Sequence, residues 1–346
     1  MSSGCVPCNV VPIERPRTRA RVMLACMAGL VLSSGAPVVA RALTITPTFN
    51  SDLSLSSIDV INHAIGFYET TFSDPVNVFI EFHNMDTGLG RSNWVFYTPT
   101  YASFRTALIG DATSSDDFTA ISNANIGTGP NDPIVGRPRI DIKSANGRAL
   151  GLNTPAISLG SNFCSGLVVD GCVGLNLAIT DDADVGTGSF SLISTVEHEI
   201  DEVLGLASSL DTPGLLSGNI LPEHLFRRAA DGTRSFARNT SCVSPPAAFL
   251  SLDAGVTDLD QFNNCNNGGD YGDWITHTPQ QVQDAFSNGS GAPFLTLTSP
   301  ETRALDAIGF SLVTTTPEPS SIVLLATGFA GVAGGMRRRR VAPSED

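Results

Sequence analysis

The sequence predicts one mixed α/β domain in which a sheet packs on a single long helix. Near the start of the central region, residues 43–50, 57–72 and 76–82 follow strand, helix and strand patterns in that order. Of 346 residues, 42% are hydrophobic and 16% are charged, which suits a packed core and excludes a disordered chain. Further on, residues 191–210 (SLISTVEHEIDEVLGLASSL) carry an apolar stripe at helical spacing, made of Ile193, Val196, Ile200, Val203, Leu204 and Ala207.

Shorter patterns fill the rest of this region. Residues 174–180 (GLNLAIT) alternate like a strand just before the long helix. Stretches rich in glycine and proline predict loops at 127–138 and 211–222. The remaining predicted elements are a turn at 88–91, strands at 93–97 and 139–143, and helices at 101–112, 116–124 and 302–308.

Residues 1–42 are typical of an export signal. A stretch rich in arginine precedes an apolar run at 22–32, and Ala40-Arg41-Ala42 fits a cleavage site between small residues. The apolar run is too short to span a membrane, which argues against a membrane anchor. The mature chain is therefore expected to begin at Leu43.

Residues 314–346 predict a second targeting segment. Pro317-Glu318-Pro319 precedes an apolar run at 322–333, and residues 337–340 are all arginine. These three parts, in this order, resemble the PEP-CTERM sorting signal. The resemblance implies transient membrane retention, processing by an exosortase, and release or attachment at the cell surface. Residues 320–336 reach the lower length limit of a transmembrane segment with cytoplasmic arginines, so a permanent anchor is the alternative.

The charge of the chain excludes one class of partner. The formal net charge is −14. Arginine is concentrated at the two ends, so the predicted domain, residues 43–313, is more acidic still, and Lys143 is the only lysine. Such a surface argues against nucleic-acid binding. It is compatible with calcium binding.

The centre of the long helix carries a pattern typical of metal sites. His198 and Glu202 are four residues apart, so they project from one face, one turn apart and roughly opposite the apolar stripe. A catalytic zinc takes about three protein ligands and keeps one position open for water. Glu199 directly follows the first ligand, where the H-E-x-x-H signature has its general base. The pattern here is H-E-x-x-E, and an ordinary helix with a solvated acidic face is the alternative interpretation.

Segments downstream of this helix extend the pattern. VEHEIDEVLG is followed by PEHLFRRAADGTRSF, SLDAGVTDLDQFN, GGDYGDW and TRALDAIGF. This series, from about residue 43 to 310, resembles a family of secreted bacterial metalloproteases that often carry a PEP-CTERM tail. The resemblance implies a zincin-like fold and zinc-dependent hydrolysis of peptide bonds. In zincin folds an edge strand near the catalytic helix pairs with extended substrate, so residues 174–180 are either that strand or a plain core strand.

The same resemblance supplies a candidate for the third zinc ligand. The D-L-F-R-Y segment of the family reads His224-Leu225-Phe226-Arg227-Arg228 in this chain, which places His224 where the family has aspartate. Both residue types bind zinc, so His224 is the third candidate beside His198 and Glu202. The alternative is that His224 caps or hydrogen-bonds the chain.

Cysteine and aspartate residues suggest further sites. Four cysteines lie in the predicted domain, and sequence proximity favours the disulfides Cys164–Cys172 and Cys242–Cys265, although three pairings are open. A four-cysteine zinc site is the alternative, but no C-x-x-C pair supports it. Asp270 and Asp273, in NNCNNGGDYGDW, are candidate calcium ligands, and a turn-rich surface loop is the alternative.

The sequence thus predicts an exported zinc metallopeptidase. Glu199 is its expected general base, and its expected partners are a protein or peptide substrate, the export machinery and an exosortase. The rival hypothesis is a non-catalytic extracellular matrix or surface protein with a degenerate metal site. Zinc content separates the two hypotheses, because only the enzyme requires the metal.

Overall fold

The computed structural model describes residues 42–160, 164–181, 190–210, 218–236, 238, 247–287 and 293–313. The predicted export signal up to residue 41, the predicted sorting tail and Cys242 lie outside the described residues. The disulfide predicted between Cys164 and Cys172 is confirmed.

Short strands and helices alternate along the described residues. The helices are α1 (Leu55–Thr71), α2 (Tyr101–Asp111), α3 (Ser115–Ala120), α4 (Asn123–Ile126), α5 (Ser144–Ala149), α6 (Leu192–Leu204) and α7 (Pro300–Ala307), and a 3-10 helix spans Pro222–Phe226. The strands are β1 (Thr44–Phe49), β2 (Asn77–Asn84), β3 (Gly90–Trp94), β4 (Phe96–Tyr97), β5 (Ile142–Lys143), β6 (Ile157–Ser158), β7 (Val168–Val169), β8 (Gly171–Leu175), β9 (Thr180–Asp181), β10 (Phe190–Ser191), β11 (Arg227–Arg228), β12 (Phe249–Leu250) and β13 (Asp260–Gln261).

A four-stranded mixed sheet forms the main layer, in the order β1-β2-β8-β3. β1, β2 and β8 are parallel, whereas β3 runs antiparallel to β8 and forms one edge of the sheet. The predicted strand, helix and strand at residues 43–82 are confirmed as β1, α1 and β2. α1 connects two parallel neighbours, so this segment is a βαβ unit. The mixed α/β class predicted from sequence is confirmed.

Two predicted elements near β3 are confirmed in part. The strand predicted at 174–180 overlaps β8, which spans Gly171–Leu175 and lies between β2 and β3, so the core-strand alternative is confirmed and this strand cannot add a peptide. The turn predicted at 88–91 overlaps a bend at residues 86–89, and β3 begins at Gly90. The strand at the edge beside the long helix is therefore β3.

The predicted long helix is confirmed as α6, although it is shorter than predicted. Ser191 caps its start, because its side chain accepts a hydrogen bond from the Ser194 N–H at 3.3 Å. The helix ends at Gly205, where an added Cβ would lie 2.4 Å from Ile308 Cδ1, so α7 and its end approach too closely for a larger residue. The whole predicted apolar stripe is buried.

α6 contacts both the sheet and α1, which fixes its orientation. Its buried face contacts β3 and β8. On the α1 side, the buried hydroxyl of Tyr68 donates to the Glu197 carbonyl and to Asp201 Oδ1, each at 2.8 Å. The face that carries His198 and Glu202 is left turned away from this core.

The other predicted elements are confirmed in outline. The helices predicted at 101–112 and 302–308 are α2 and α7, and the one predicted at 116–124 is divided into α3 and α4. The strand predicted at 93–97 is divided between β3 and β4. In the described part of the chain, no helix is long and apolar enough to cross a membrane.

Candidate metal centre

His198 is held in one orientation by Val282, on a segment that faces α6. Its Nδ1 lies 3.0 Å from the carbonyl oxygen of Val282. A carbonyl only accepts, so Nδ1 carries the proton and the lone pair that can bind a metal is on Nε2. Metal-binding histidines commonly have this hydrogen bond, because it fixes both the tautomer and the ring.

Three side chains converge on the exposed face of α6. One ligand atom each from His198, Glu202 and Asp273 lies within 4.8 Å of the other two, and together they can hold a metal ion. His198 Nε2 and Asp273 Oδ1 are 3.7 Å apart. Two tetrahedral zinc ligands with bonds of about 2.0–2.2 Å stand roughly 3.3–3.6 Å apart, so the observed spacing is close to that of two ligands of one ion. The donor set also fits, because zinc accepts imidazole and carboxylate ligands together.

Glu202 is fixed by the edge strand of the sheet. The Ser92 hydroxyl on β3 donates to Glu202 Oε2. The backbone of Glu202 is held as well, because the buried Lys143 ammonium donates to its carbonyl oxygen and, at 2.9 Å, to that of Leu206. The same ammonium lies 4.3 Å from the centre of the Trp94 ring. The end of α6 that carries Glu202 is therefore rigid.

Glu199 lies next to the three converging residues and is almost fully buried. Burial, and then the charge of Glu202, raise the pKa of Glu199 well above its usual value. Its Oε2 has no hydrogen-bond partner among the described residues. An added Cβ at Gly90 would lie 2.3 Å from Glu199 Oε1, so this carboxylate sits directly against the β3 backbone. A buried carboxylate with a raised pKa in a cleft is a frequent feature of catalytic sites.

A cleft of about 910 Å³ opens over this group of residues. β3 and the segment before it form one wall, and residues 280–287 form the opposite wall. Burial, and then Asp270, also raise the pKa of Asp273. Several carboxylates thus face one cleft whose lining includes a single arginine, Arg91, and a cation bound there would lower their mutual repulsion.

The structure does not bring His224 to this group. Its Nδ1 accepts a hydrogen bond from the Leu221 N–H at 3.0 Å, so the proton is on Nε2, which lies 3.0 Å from the Ser208 hydroxyl. Burial, and then the charge of Arg227, lower the pKa of His224 to about 3. The ring is a neutral, fully hydrogen-bonded part of the core, as the capping alternative stated. The third residue that lies with His198 and Glu202 is Asp273.

The two candidate calcium residues have different positions. Asp273 belongs to the metal group, the set of three converging residues His198, Glu202 and Asp273. Asp270 lines the cleft, and its Oδ1 accepts the Gly272 N–H at 2.6 Å. The disulfide predicted between Cys242 and Cys265 involves a residue outside the described part of the chain, so this pairing stays a prediction.

Two contacts of the metal group come from residues that the sequence analysis did not single out. Ser92 reaches Glu202 from β3, and Gln283 reaches both His198 and Asp273 from the opposite wall. Neither residue belongs to a motif, because its role depends only on which segments the fold brings opposite α6. Asp273 itself was marked only by its place in an Asp-, Asn- and Gly-rich stretch.

The comparison with known families identifies the C-terminal tail. Residues 315–340 match the PEP-CTERM protein-sorting motif. A protein with this motif is exported, is anchored at the membrane before processing, and is processed by an exosortase. Neither a curated protein nor a solved structure matches the chain.

Proposed function

We propose that this protein is an exported zinc-dependent peptidase with a zincin-like catalytic site. The convergence of His198, Glu202 and Asp273 beside Glu199, in one open cleft, is the observation that carries the proposal. Three ligands and one adjacent carboxylate are the minimum set for metal-assisted hydrolysis. The sorting motif is compatible with an enzyme that acts outside the cytoplasm.

The catalytic roles follow from the positions of the side chains. His198 Nε2 and the carboxylates of Glu202 and Asp273 would hold the ion, which would supply Lewis-acid activation of water and of the scissile carbonyl. Glu199 would accept a proton from the attacking water and deliver it to the leaving amine. Its free Oε2 is available for this transfer. The charge of a bound cation would counter the burial that raises the pKa of Glu199, and so keep this base ionised near neutral pH.

The edge strand beside the cleft suggests how substrate binds. β3 ends the described sheet, and its residues Gly90 to Ser92 line the cleft beside α6. An extended peptide paired with this strand would run past Glu199 and the metal group. The proposed substrate is therefore an unfolded or extended segment of a protein.

Metal content tests the proposal. We expect the purified protein, residues 43–319, to bind about one zinc ion per chain, and expect His198→Ala, Glu202→Ala and Asp273→Ala to lose it. The control is His63→Ala, an exposed histidine on α1 that should leave the zinc content unchanged. Elemental analysis and competition with a chromophoric chelator measure the content and the affinity.

The outcomes separate the two classes of protein considered from sequence. A parent protein that binds no zinc after refolding with the metal refutes the proposal. Zinc binding without hydrolysis of any peptide in a diverse library supports the non-catalytic surface protein. If His224→Ala, in a folded variant, also loses zinc, the ligand set assigned from the structure is wrong.

A further inference from the structure

The cleft wall opposite α6 contacts two of the three proposed ligands through Gln283. We propose that Gln283 is a positioning residue of the metal site, which holds Asp273 in place and is itself fixed by Glu301. This role goes beyond the proposed function but depends on the metal site described there.

Two consecutive residues of this wall contact both ring nitrogens of His198. Val282 accepts from Nδ1 through its carbonyl oxygen at 3.0 Å, and Gln283 Nε2 lies 3.3 Å from His198 Nε2. The same amide nitrogen donates to Asp273 Oδ1 at 3.0 Å. The side chain of Gln283 is only 1% exposed. One buried amide group therefore sits at the point where an imidazole and a carboxylate ligand meet.

The backbone of Gln283 is fixed by two hydrogen bonds. Its N–H donates to Glu301 Oε1 at 3.0 Å, and its carbonyl oxygen accepts the Trp274 N–H at 2.8 Å. Glu301 Oε1 also accepts the Trp274 indole N–H at 3.0 Å. Glu301 lies on α7. Its carboxylate thus binds both Trp274, the residue after Asp273, and Gln283, the residue that donates to Asp273.

This arrangement fixes the direction of the Asp273 carboxylate. A carboxylate on a loop can rotate, and rotation would cost metal affinity because one ligand oxygen would leave its position. The side-chain amide of Gln283 occupies one lone pair of Asp273 Oδ1 and leaves the second lone pair of Oδ1, and Oδ2, for the ion. A neutral amide also adds no charge to a cleft that already holds several carboxylates.

Zinc affinity of Gln283→Met tests the role of the amide. Methionine keeps the unbranched shape but removes the donor, so we expect zinc affinity to fall by about 10–100-fold. The control is Gln281→Met, two residues away and outside the metal group, which should stay within about twofold of the parent. The visible spectrum of the cobalt-substituted protein should change only in Gln283→Met, because this spectrum reports ligand geometry rather than stability.

A pair of substitutions at Glu301 gives a second test that does not alter Gln283. Glu301→Gln keeps an acceptor oxygen and should retain most of the affinity, whereas Glu301→Met should lower it toward that of Gln283→Met. Parental zinc affinity and an unchanged cobalt spectrum in Gln283→Met would overturn the positioning role alone. A parent protein without zinc would instead refute the metal site, and the role of Gln283 with it.

Discussion

Glu199 is the residue on which the proposed chemistry depends most directly. It is buried beside the metal group but contributes no ligand atom to it. Its position one residue after His198 places it on the side of α6 that meets the β3 backbone. Removal of its negative charge should therefore affect proton transfer without removing the metal.

Glu199→Gln should bind zinc like the parent but hydrolyse peptide at least about 100-fold more slowly, because a glutamine cannot accept the proton. Single-turnover kinetics on the zinc-loaded variant give the rate, and elemental analysis gives the metal content. Near-parental turnover with zinc bound would exclude Glu199 as the general base.

Gly90 is a second position that matters for the site, because an added Cβ would collide with side chains of α6. Gly90→Ala would place a Cβ 2.3 Å from Glu199 Oε1 and 2.8 Å from Thr195 Cγ2, so these side chains or β3 itself would have to shift. We expect the free energy of unfolding to fall by about 1–3 kcal/mol. Chemical denaturation measures the change.

A matched control for Gly90→Ala lies on α1. A Cβ at Gly66 meets nothing within 4 Å. Gly66→Ala should therefore stabilise the protein by about 0.5–1 kcal/mol, as alanine does in a helix interior. Equal effects of the two substitutions would contradict the close contact between β3 and Glu199.

The residues of the metal group differed in how far sequence could predict them. His198 and Glu202 were predictable, because a spacing of four residues fixes their relation on any helix. The place of Asp273 in this group was not predictable, because its approach to α6 depends on the path of a long loop region. His224 was assigned by resemblance, and its neighbours Leu221 and Ser208 hold both ring nitrogens instead.

At the scale of elements, burial explains which strands the sequence could identify. β8 (GCVGL) is buried along its whole length, which is typical of a strand inside a sheet. β3 (GRSNW) is polar and begins with glycine, so it resembles a turn in sequence. Its pairing with β8 and its contact with α6 stabilise it as a strand. Local pattern alone therefore could not decide which of the two strands lies at the edge.

The disulfide between Cys164 and Cys172 joins β8 to the segment that precedes it. The bond spans eight positions in sequence. A loop of this length should stabilise the fold by about 2–3 kcal/mol, chiefly by restricting the unfolded chain. The double variant Cys164→Ala, Cys172→Ala should accordingly unfold at a lower denaturant concentration, and an unchanged midpoint would show that this bond does not constrain the unfolded state.

At the scale of the whole molecule, the excess of acidic residues extends into the interior. Asp74, Asp111 and Asp306 lie near one another around the end of α7, and burial raises their pKa values to about 7, 6 and 7. Repulsion between neighbouring carboxylates adds to these shifts. Each group binds its proton more tightly in the folded state, so its contribution to stability is full below pH 4 and is lost as the pH rises through 6 to 7.

Asp306→Asn removes one of these titrations while an oxygen remains to accept the Ser114 hydroxyl. Relative to the parent, the variant should gain more than about 1 kcal/mol of unfolding free energy between pH 5 and pH 8. Denaturation at both pH values measures the difference. A pH-independent difference for Asp306→Asn would contradict the raised pKa.

The overall class of the fold was predictable because its first βαβ unit and α6 are long, periodic segments. Many later elements have only two residues per strand, as in β9 to β13, and such segments carry no readable period. Their arrangement depends on long-range contacts, including the one that brings residues 273–283 over α6.

The last described residues pair with the start of the fold rather than with its cleft. Leu312 bridges Phe72, and two hydrogen bonds of 2.8 Å connect Ser73 N–H to the Ser311 carbonyl and Val313 N–H to the Thr71 carbonyl. The sorting motif begins two residues later. A pull on the tail would therefore act on this short pairing, and on the end of α1, before it acts on α6.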